Sequence, residues 1–272
     1  MRYLTFVSTA ATVCVLTAGV TLPAGAASTA HVKSDSSTTW AGYVAFPPKG
    51  HTIKNVGVVF RVPKVKCSGS VGAPTKGKLY PGWHASFWAG IDGWSPTSNI
   101  TSGAVQQAGV IAFCRTRKSA AIYRAFYEMY PADPRLEAAV RAGDRVSVDV
   151  SVAGKIYSFS VENLTTRKTL LSAVATCARR TKCGNAMAEV ITEAPGGGPD
   201  SGRGLADTGT VRYTYAAAGL SRQPPYVDAT PLGAFAALTK LTMSPAGHPR
   251  IVRPGRFRMG PNGLTDFDTY WK

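Results

Sequence analysis

Residues 145–152 read Arg-Val-Ser-Val-Asp-Val-Ser-Val, a strict alternation of apolar and polar side chains. A two-residue side-chain period puts every valine on one face, the signature of a half-buried β-strand. Gly143-Asp144 before it and Ala153-Gly154-Lys155 after it are tight-turn sequences, and Ile156 to Val161 then resumes the strand pattern. Val56 to Val62, Ser86 to Ile91, Ala104 to Val110, Ala121 to Tyr130 and Gly209 to Ala217 also read as strands. Turns punctuate them every ~8–12 residues, which predicts an all-β fold, an antiparallel sandwich or barrel. Pro134 to Arg141 (PRLEAAVR) alone predicts a short helix. The chain from Ser221 is Pro-rich and looser, and Asp266 to Trp271 has the pattern of a final strand.

The first 27 residues read as an export signal. Arg2 supplies a positive start, Leu4 to Leu22 an apolar stretch, and Ala24-Gly25-Ala26 a small-x-small cleavage pattern. Ser8, Thr9, Thr12, Thr17 and Thr21 dilute the apolar stretch, and no basic stop-transfer flank follows, so a membrane anchor is disfavoured. The expectation is a secreted, extracellular protein without membrane attachment once the signal is removed. Residues 28–39 are polar and predict a mobile arm or short propeptide, leaving 40–272 as a single domain.

The 272 residues hold 31 Lys plus Arg against 15 Asp plus Glu, a formal charge of +16. The cations are spread in short patches and no nucleic-acid-binding module is recognisable, so the charge reads as a basic soluble surface and nucleic acid is not an expected partner. Export permits disulfides. Four cysteines follow the signal, Cys67, Cys114, Cys177 and Cys183, with three possible pairings. The close spacing of Cys177 and Cys183 favours a local staple, leaving Cys67 with Cys114. No histidine lies at ligand-like spacing from either pair, so neither a metal nor a cofactor is expected.

Candidate chemistry starts from residues 184–195, GNAMAEVITEAP, where an acid-poor chain places Glu189 and Glu193 four residues apart. On a strand they share a face but sit ~13 Å apart, beyond the ~5–9.5 Å over which two carboxylates cooperate on a glycosidic bond. On a helix they would be repelling neighbours. The β-rich context and the Gly196-Gly197-Gly198-Pro199 break favour a strand, and Glu189 must then find its partner elsewhere. Asp200-Ser201-Gly202 with His31 superficially suggests a serine nucleophile and its base. The oxyanion hole of that arrangement needs the backbone N–H two residues before the serine, and Pro199 has none.

Several segments together resemble the G1 peptidases, the eqolisins or glutamic peptidases. Trp40-Ala41-Gly42-Tyr43 is similar to their opening Trp-Ser/Ala-Gly, and Phe87 to Gly93 (FWAGIDG) to Trp-Val-Gly-Ile-Asp-Gly. Val105 to Val110 (VQQAGV) resembles Leu-Gln-Thr-Gly-Val, which carries the family's catalytic Gln. Phe126 to Pro131 (FYEMYP) resembles Trp-Tyr-Glu-Trp-Tyr-Pro, and Glu162 to Thr166 resembles Glu-Asn-x-Ser/Thr-Thr. Ala188 to Glu193 (AEVITE) resembles Ala-Glu-Trp-Ile-Val-Glu, whose first Glu is catalytic, and Asp207 to Val211 resembles Asp-Phe-Gly-Ser/Thr-Val. Order and spacing agree over about residues 38–217. The sequence departs from the family at Val190 and Met129, each standing where the family has Trp, at Val110-Ile111, and in an insertion near 218–265.

The resemblance implies a lectin-like, jelly-roll sandwich of two curved antiparallel sheets, with a Gln107–Glu189 dyad on neighbouring strands of the concave face. Gln106 is the adjacent alternative, and period-2 alternation lets only one of the two face the cleft. The implied activity is acid endopeptidase cleavage of protein or peptide substrates, without metal, by a monomer. Trp40 and Trp88 would wall the substrate site, with Tyr127 and Glu128 beside it. Two rival readings stand. One is an inactive sandwich that binds carbohydrate or protein; the other is a glycosidase using Glu128 as its second carboxylate. Asn99-Ile100-Thr101 and Asn163-Leu164-Thr165 fit the N-glycosylation pattern.

Overall fold

The computed structural model describes residues 31–75, 81–95, 104–178, 182–195, 204–221, 229–244, 251–260 and 265–272. The export signal, the Asp200-Ser201-Gly202 loop and the Asn99 sequon lie outside these residues. Among the described residues all regular structure is β-strand apart from one 3-10 turn at Leu232–Ala234.

The front layer runs, in spatial order, β1 (His31–Ser37), β16 (Ala237–Met243), β2 (Trp40–Phe46), β12 (Ala188–Glu193), β5 (Trp83–Ile91), β6 (Gln106–Cys114), β7 (Ile122–Met129) and β8 (Arg135–Val140). All these pairings are antiparallel except β1 with β16. The rear layer runs β11 (Lys168–Thr176), β10 (Ile156–Asn163), β9 (Arg145–Ala153), β3 (Ile53–Arg61), β14 (Thr210–Leu220) and β19 (Thr265–Trp271). The short strands β17 (Val252–Pro254) and β18 (Arg258–Met259) pair with β19, and β15 (Thr230–Pro231) with β14. β17 also meets β16 at Met243, and β13 (Leu205–Asp207) meets both β4 (Lys66–Val71) and β5, so the layers are joined at their margins. The fold is the predicted β-sandwich.

Alternation decides which face each strand buries. Val146, Val148, Val150 and Val152 of β9 point inward, as the opening octapeptide requires, and meet Phe87, Ala108, Val110, Tyr157 and Phe159 in the central core. Burying a valine or larger side chain contributes roughly 1.5–3 kcal/mol, so this interlayer cluster supplies most of the drive for folding. Cys67–Cys114 ties β4 to β6, and Cys177–Cys183 staples the approach to β12. Both are the pairings that spacing favoured.

Three expectations are corrected. Within 134–141, Arg135–Val140 form β8, not a helix: Leu136 pairs with Phe126, and a neighbouring strand overrides the local helical preference. The polar stretch expected as a mobile arm instead supplies β1, hydrogen-bonded to β16 along its length. The looser segment near 218–265 contributes β15 to β18 and the end of β14, and its β16 lies inside the front layer between β1 and β2.

Candidate active site

The cross-strand register assembles the site. Glu189 of β12 pairs with Gly90 of β5, Gly90 with Gln107 of β6, and Gln107 with Glu128 of β7. Paired residues point to the same side of a sheet, so one row across four strands carries Glu189, a bare glycine, Gln107 and Glu128 on the outer face of the front layer. Gln106 points the other way, is fully buried, and sends its amide towards Cys183 Sγ at 3.5 Å. Alternation thus selects Gln107. The expected neighbouring strands are corrected: β5 lies between the two residues, setting their backbones two interstrand spacings, ~9–10 Å, apart.

Gly90 accounts for what fills that interval. A Cβ there would stand 3.2 Å from Gln107 Cβ and 2.8 Å from the Trp88 ring. Only glycine avoids these contacts, so no side chain of β5 stands between acid and amide in the row.

Each member of the row is held on one side only. Glu189 is fully buried; its Oε1 accepts the Trp94 backbone N–H at 2.9 Å, while its Oε2 has no protein partner. Gln107 donates Nε2–H to Glu128 Oε2 at 2.6 Å, and its Oε1 is likewise buried without a partner. Buried polar atoms are nearly always satisfied, so two such oxygens on one row mark a site for something that hydrogen-bonds. Burial holds the Glu189 carboxyl well above the usual carboxylate range; the Trp94 N–H opposes the shift, and the Asp92 and Glu193 charges add to it. Glu128 is pushed up to about 8, by burial first and by Glu193 second, with the Gln107 hydrogen bond working against both.

The Asp92-Gly93-Trp94 turn aims that N–H. Asp92, at φ 61°, accepts backbone N–H groups of Gly184, Asn185 and Ala186 at 2.6–2.8 Å, pinning the stapled loop to the end of β5. Gly93, at φ 133°, has Glu189 Oε2 3.1 Å and Trp40 2.8 Å from where a Cβ would be. Only glycine accepts both that backbone angle and that approach.

Glu193 is a clamp. Its Oε2 accepts Trp88 Nε1–H at 2.7 Å and Ser86 Oγ–H at 3.1 Å, and Trp40 also donates to it. Trp40 and Trp88 meet edge to face at 5.0 Å, with Trp94 6.4 Å from Trp40. They form an apolar cluster with Val105, Phe126 and Ile191 on the same face as the row. Trp40 and Trp88, 6% and 0% exposed, thus lie on the face that carries the row.

Tyr127 is not. It lies on the opposite face of β7, with its ring 5.1 Å from Phe159 in the interlayer core. A strand that presents Glu128 outward must turn Tyr127 inward. Val190 also faces the core and is fully buried, and the partly buried Met129 packs against the same core, so both departures from the family's tryptophans concern packing between the layers. Sequence reasoning gives Glu193 no role of its own and does not single out Gly90, Gly93, Trp94 or Ser86. Glu193 has a detectable signal, i+4 on the Glu189 face; Gly90 and Gly93 acquire meaning only from register and φ.

Glu128 lies three strands from Glu189, its backbone three interstrand spacings, ~14 Å, away, and its carboxyl is engaged by the Gln107 amide, which disfavours the glycosidase pairing.

Known proteins share this sandwich fold. The model of the Peptidase A4 family matches residues 38–242. The fold is similar to that of scytalido-glutamic peptidase, solved with a transition-state analog inhibitor, at TM-score 0.60 and 16% identity over 86% of this chain and 98% of that one. It is similar to SCP-B, a member of the Eqolisin family solved with the tripeptide Ala-Ile-His, at TM-score 0.59 and 15% identity over 86% and 98%. Aspergilloglutamic peptidase from Aspergillus niger follows at TM-score 0.51 and 23% identity over 70% and 99%. No curated sequence matches the chain significantly. The chain belongs to the Peptidase A4 family, and its class is that of the glutamic-type peptidases, hydrolases of peptide bonds.

Proposed function

We propose that the protein is a secreted endopeptidase in which Glu189 and Gln107 activate one water against a peptide bond, in weakly acidic solution. The observation that carries this reading is the pair of unpartnered oxygens, Glu189 Oε2 and Gln107 Oε1, on one row with only Gly90 between them. Ionised Glu189 takes a proton from the water as its oxygen bonds to the carbonyl carbon. Gln107 accepts the water's other hydrogen at Oε1 and turns its second Nε2–H, the one not given to Glu128, to the developing oxyanion. Glu189 then passes its proton to the departing nitrogen, the C–N bond breaks, and the carboxyl is ionised again. Glu128 stays neutral below about pH 8 and orients the amide without adding charge beside the oxyanion. Trp40, Trp88 and Trp94 floor the site under substrate side chains. Secretion is supported by the signal-like start and by two disulfides, bonds that persist in oxidising compartments.

The test is cleavage of a denatured protein by wild type, Glu189→Gln and Gln107→Ala. Each substitution is expected to lower kcat/KM by roughly 10²–10⁴-fold. Cleavage that survives both would remove the dyad, and a folded wild type that cleaves at no pH would leave a binding protein.

A further inference from the structure

On the rear layer, facing away from the catalytic row, a groove of about 680 Å³ is lined by residues of β3, β9 and β14 and the turns beside them. Its lining includes Arg61, Lys64, Arg145 and Arg212 and no carboxylate. Three of these cations form a row. Arg145 of β9 pairs directly with Arg61 of β3. The register that pairs Tyr213 with Phe60 carries Arg212 of β14 to the other side of Arg61. All three are exposed on the outer face of the layer.

Like charges directly opposite on adjacent strands destabilise a sheet. The acid of this row among the described residues is Asp268, which pairs with Arg212 and is shared with Arg258, so Arg61 and Arg145 stand opposite each other with no carboxylate in the groove lining. Asp268 Oδ1 is 3.1 Å from Arg212 Nε, and Oδ2 accepts from Arg258 at 3.0 Å and from Tyr270 Oη–H at 2.9 Å. The guanidiniums are held in place by other means. Arg61 Nη1 donates to the Gly143 carbonyl at 2.5 Å, and Arg145 lies over the Tyr215 ring at 5.6 Å. Charges that break a local rule and are nonetheless positioned point to a ligand.

We propose that this row binds an anionic polysaccharide, anchoring the protein by its rear while the catalytic face stays open. Adjacent strands stand ~4.7–4.9 Å apart, close to the length of one sugar in an extended glycan, so charges on successive residues meet successive arginines. Guanidinium forks suit carboxylate and sulfate groups alike. A single-stranded nucleic acid would want exposed aromatic platforms; the ring in the lining, Phe60, is buried in the core, and the half-buried Tyr215 ring beside it is covered by Arg145.

The experiment measures binding of the full exported chain to polygalacturonate, to dextran sulfate and to a single-stranded DNA oligonucleotide at several salt concentrations. The variants are Arg61→Gln/Arg145→Gln and the charge-matched pair Lys33→Gln/Lys168→Gln on other strands. Wild type is expected to bind polygalacturonate or dextran sulfate at low salt, the two arms separating carboxylate from sulfate preference. The arginine pair is expected to weaken binding roughly 10–100-fold while raising Tm, because repulsion is relieved. The lysine pair is expected to change binding less than about 3-fold. Absence of glycan binding, equal loss in both double variants, or tighter binding to DNA than to either glycan each overturns the assignment.

Discussion

At the scale of single residues, the site depends as much on side chains that are missing as on those present. Gly93→Ala would drive a methyl group to within about 3 Å of Glu189 Oε2 and Trp40 while forcing a left-handed φ on alanine. We expect kcat/KM to fall at least ~10-fold and stability by about 1–3 kcal/mol, measured by peptide cleavage and chemical unfolding of one preparation. The same scale sets the pH profile. Glu189 must be ionised to act as base, and burial holds its pKa well above the ordinary value, so the acid limb of kcat/KM should lie above pH 4.5. As pH rises through about 8, Glu128 becomes an anion beside Gln107 and opposes the oxyanion, closing the profile on the alkaline side. An acid limb at or below pH 4.5 would show that Glu189 is not the titrating base.

At the scale of elements, one strand does two jobs by alternation. β12 sends Glu189, Ile191 and Glu193 outward and Ala188, Val190 and Thr192 into the core. Val190→Trp, which restores the residue the family pattern has there, is expected to destabilise by ~1–3 kcal/mol through overpacking; a thermal or urea midpoint equal to wild type would show that the core has room. β9 and β10, buried on one face only, were legible from alternation, and β5 and β6, buried on both, from their β-branched and aromatic content between turns. β1 stayed hidden because its HVKSDSS is exposed along most of its length and its pairing depends on β16, about 200 residues away. β8 misled because Leu136, Ala139 and Val140 suit a helix until β7 lies alongside. The proposed dyad could be read only through the resemblance. Its geometry could not, because β5 and its bare Gly90 enter between the two residues through register, which no local pattern encodes.

At the scale of the whole molecule, buried acids decide how stability depends on pH. Glu189, Glu193, Glu128, Asp92 and Asp149 all have pKa values raised by burial, Glu128 to about 8 and Asp149 to about 6, while Asp268 is lowered by its arginine and tyrosine partners. A raised carboxyl contributes its full stability below its unfolded pKa and loses it as pH climbs towards the folded value; Asp268 behaves in the opposite sense. Five groups outweigh one, so Tm should be highest in mild acid and decline from about pH 4.5 to 8. A scanning-calorimetry series showing Tm rising over that window would contradict this. With β2 hydrogen-bonded on one flank and β5 on the other, the amides of β12 belong among the slowest to exchange with solvent, whereas β1, β8 and β11 at the layer edges open first. Local opening would therefore release cleavable segments while the cutting groups remain assembled, so the protein's lifetime at high concentration would be governed by self-digestion from its margins inward.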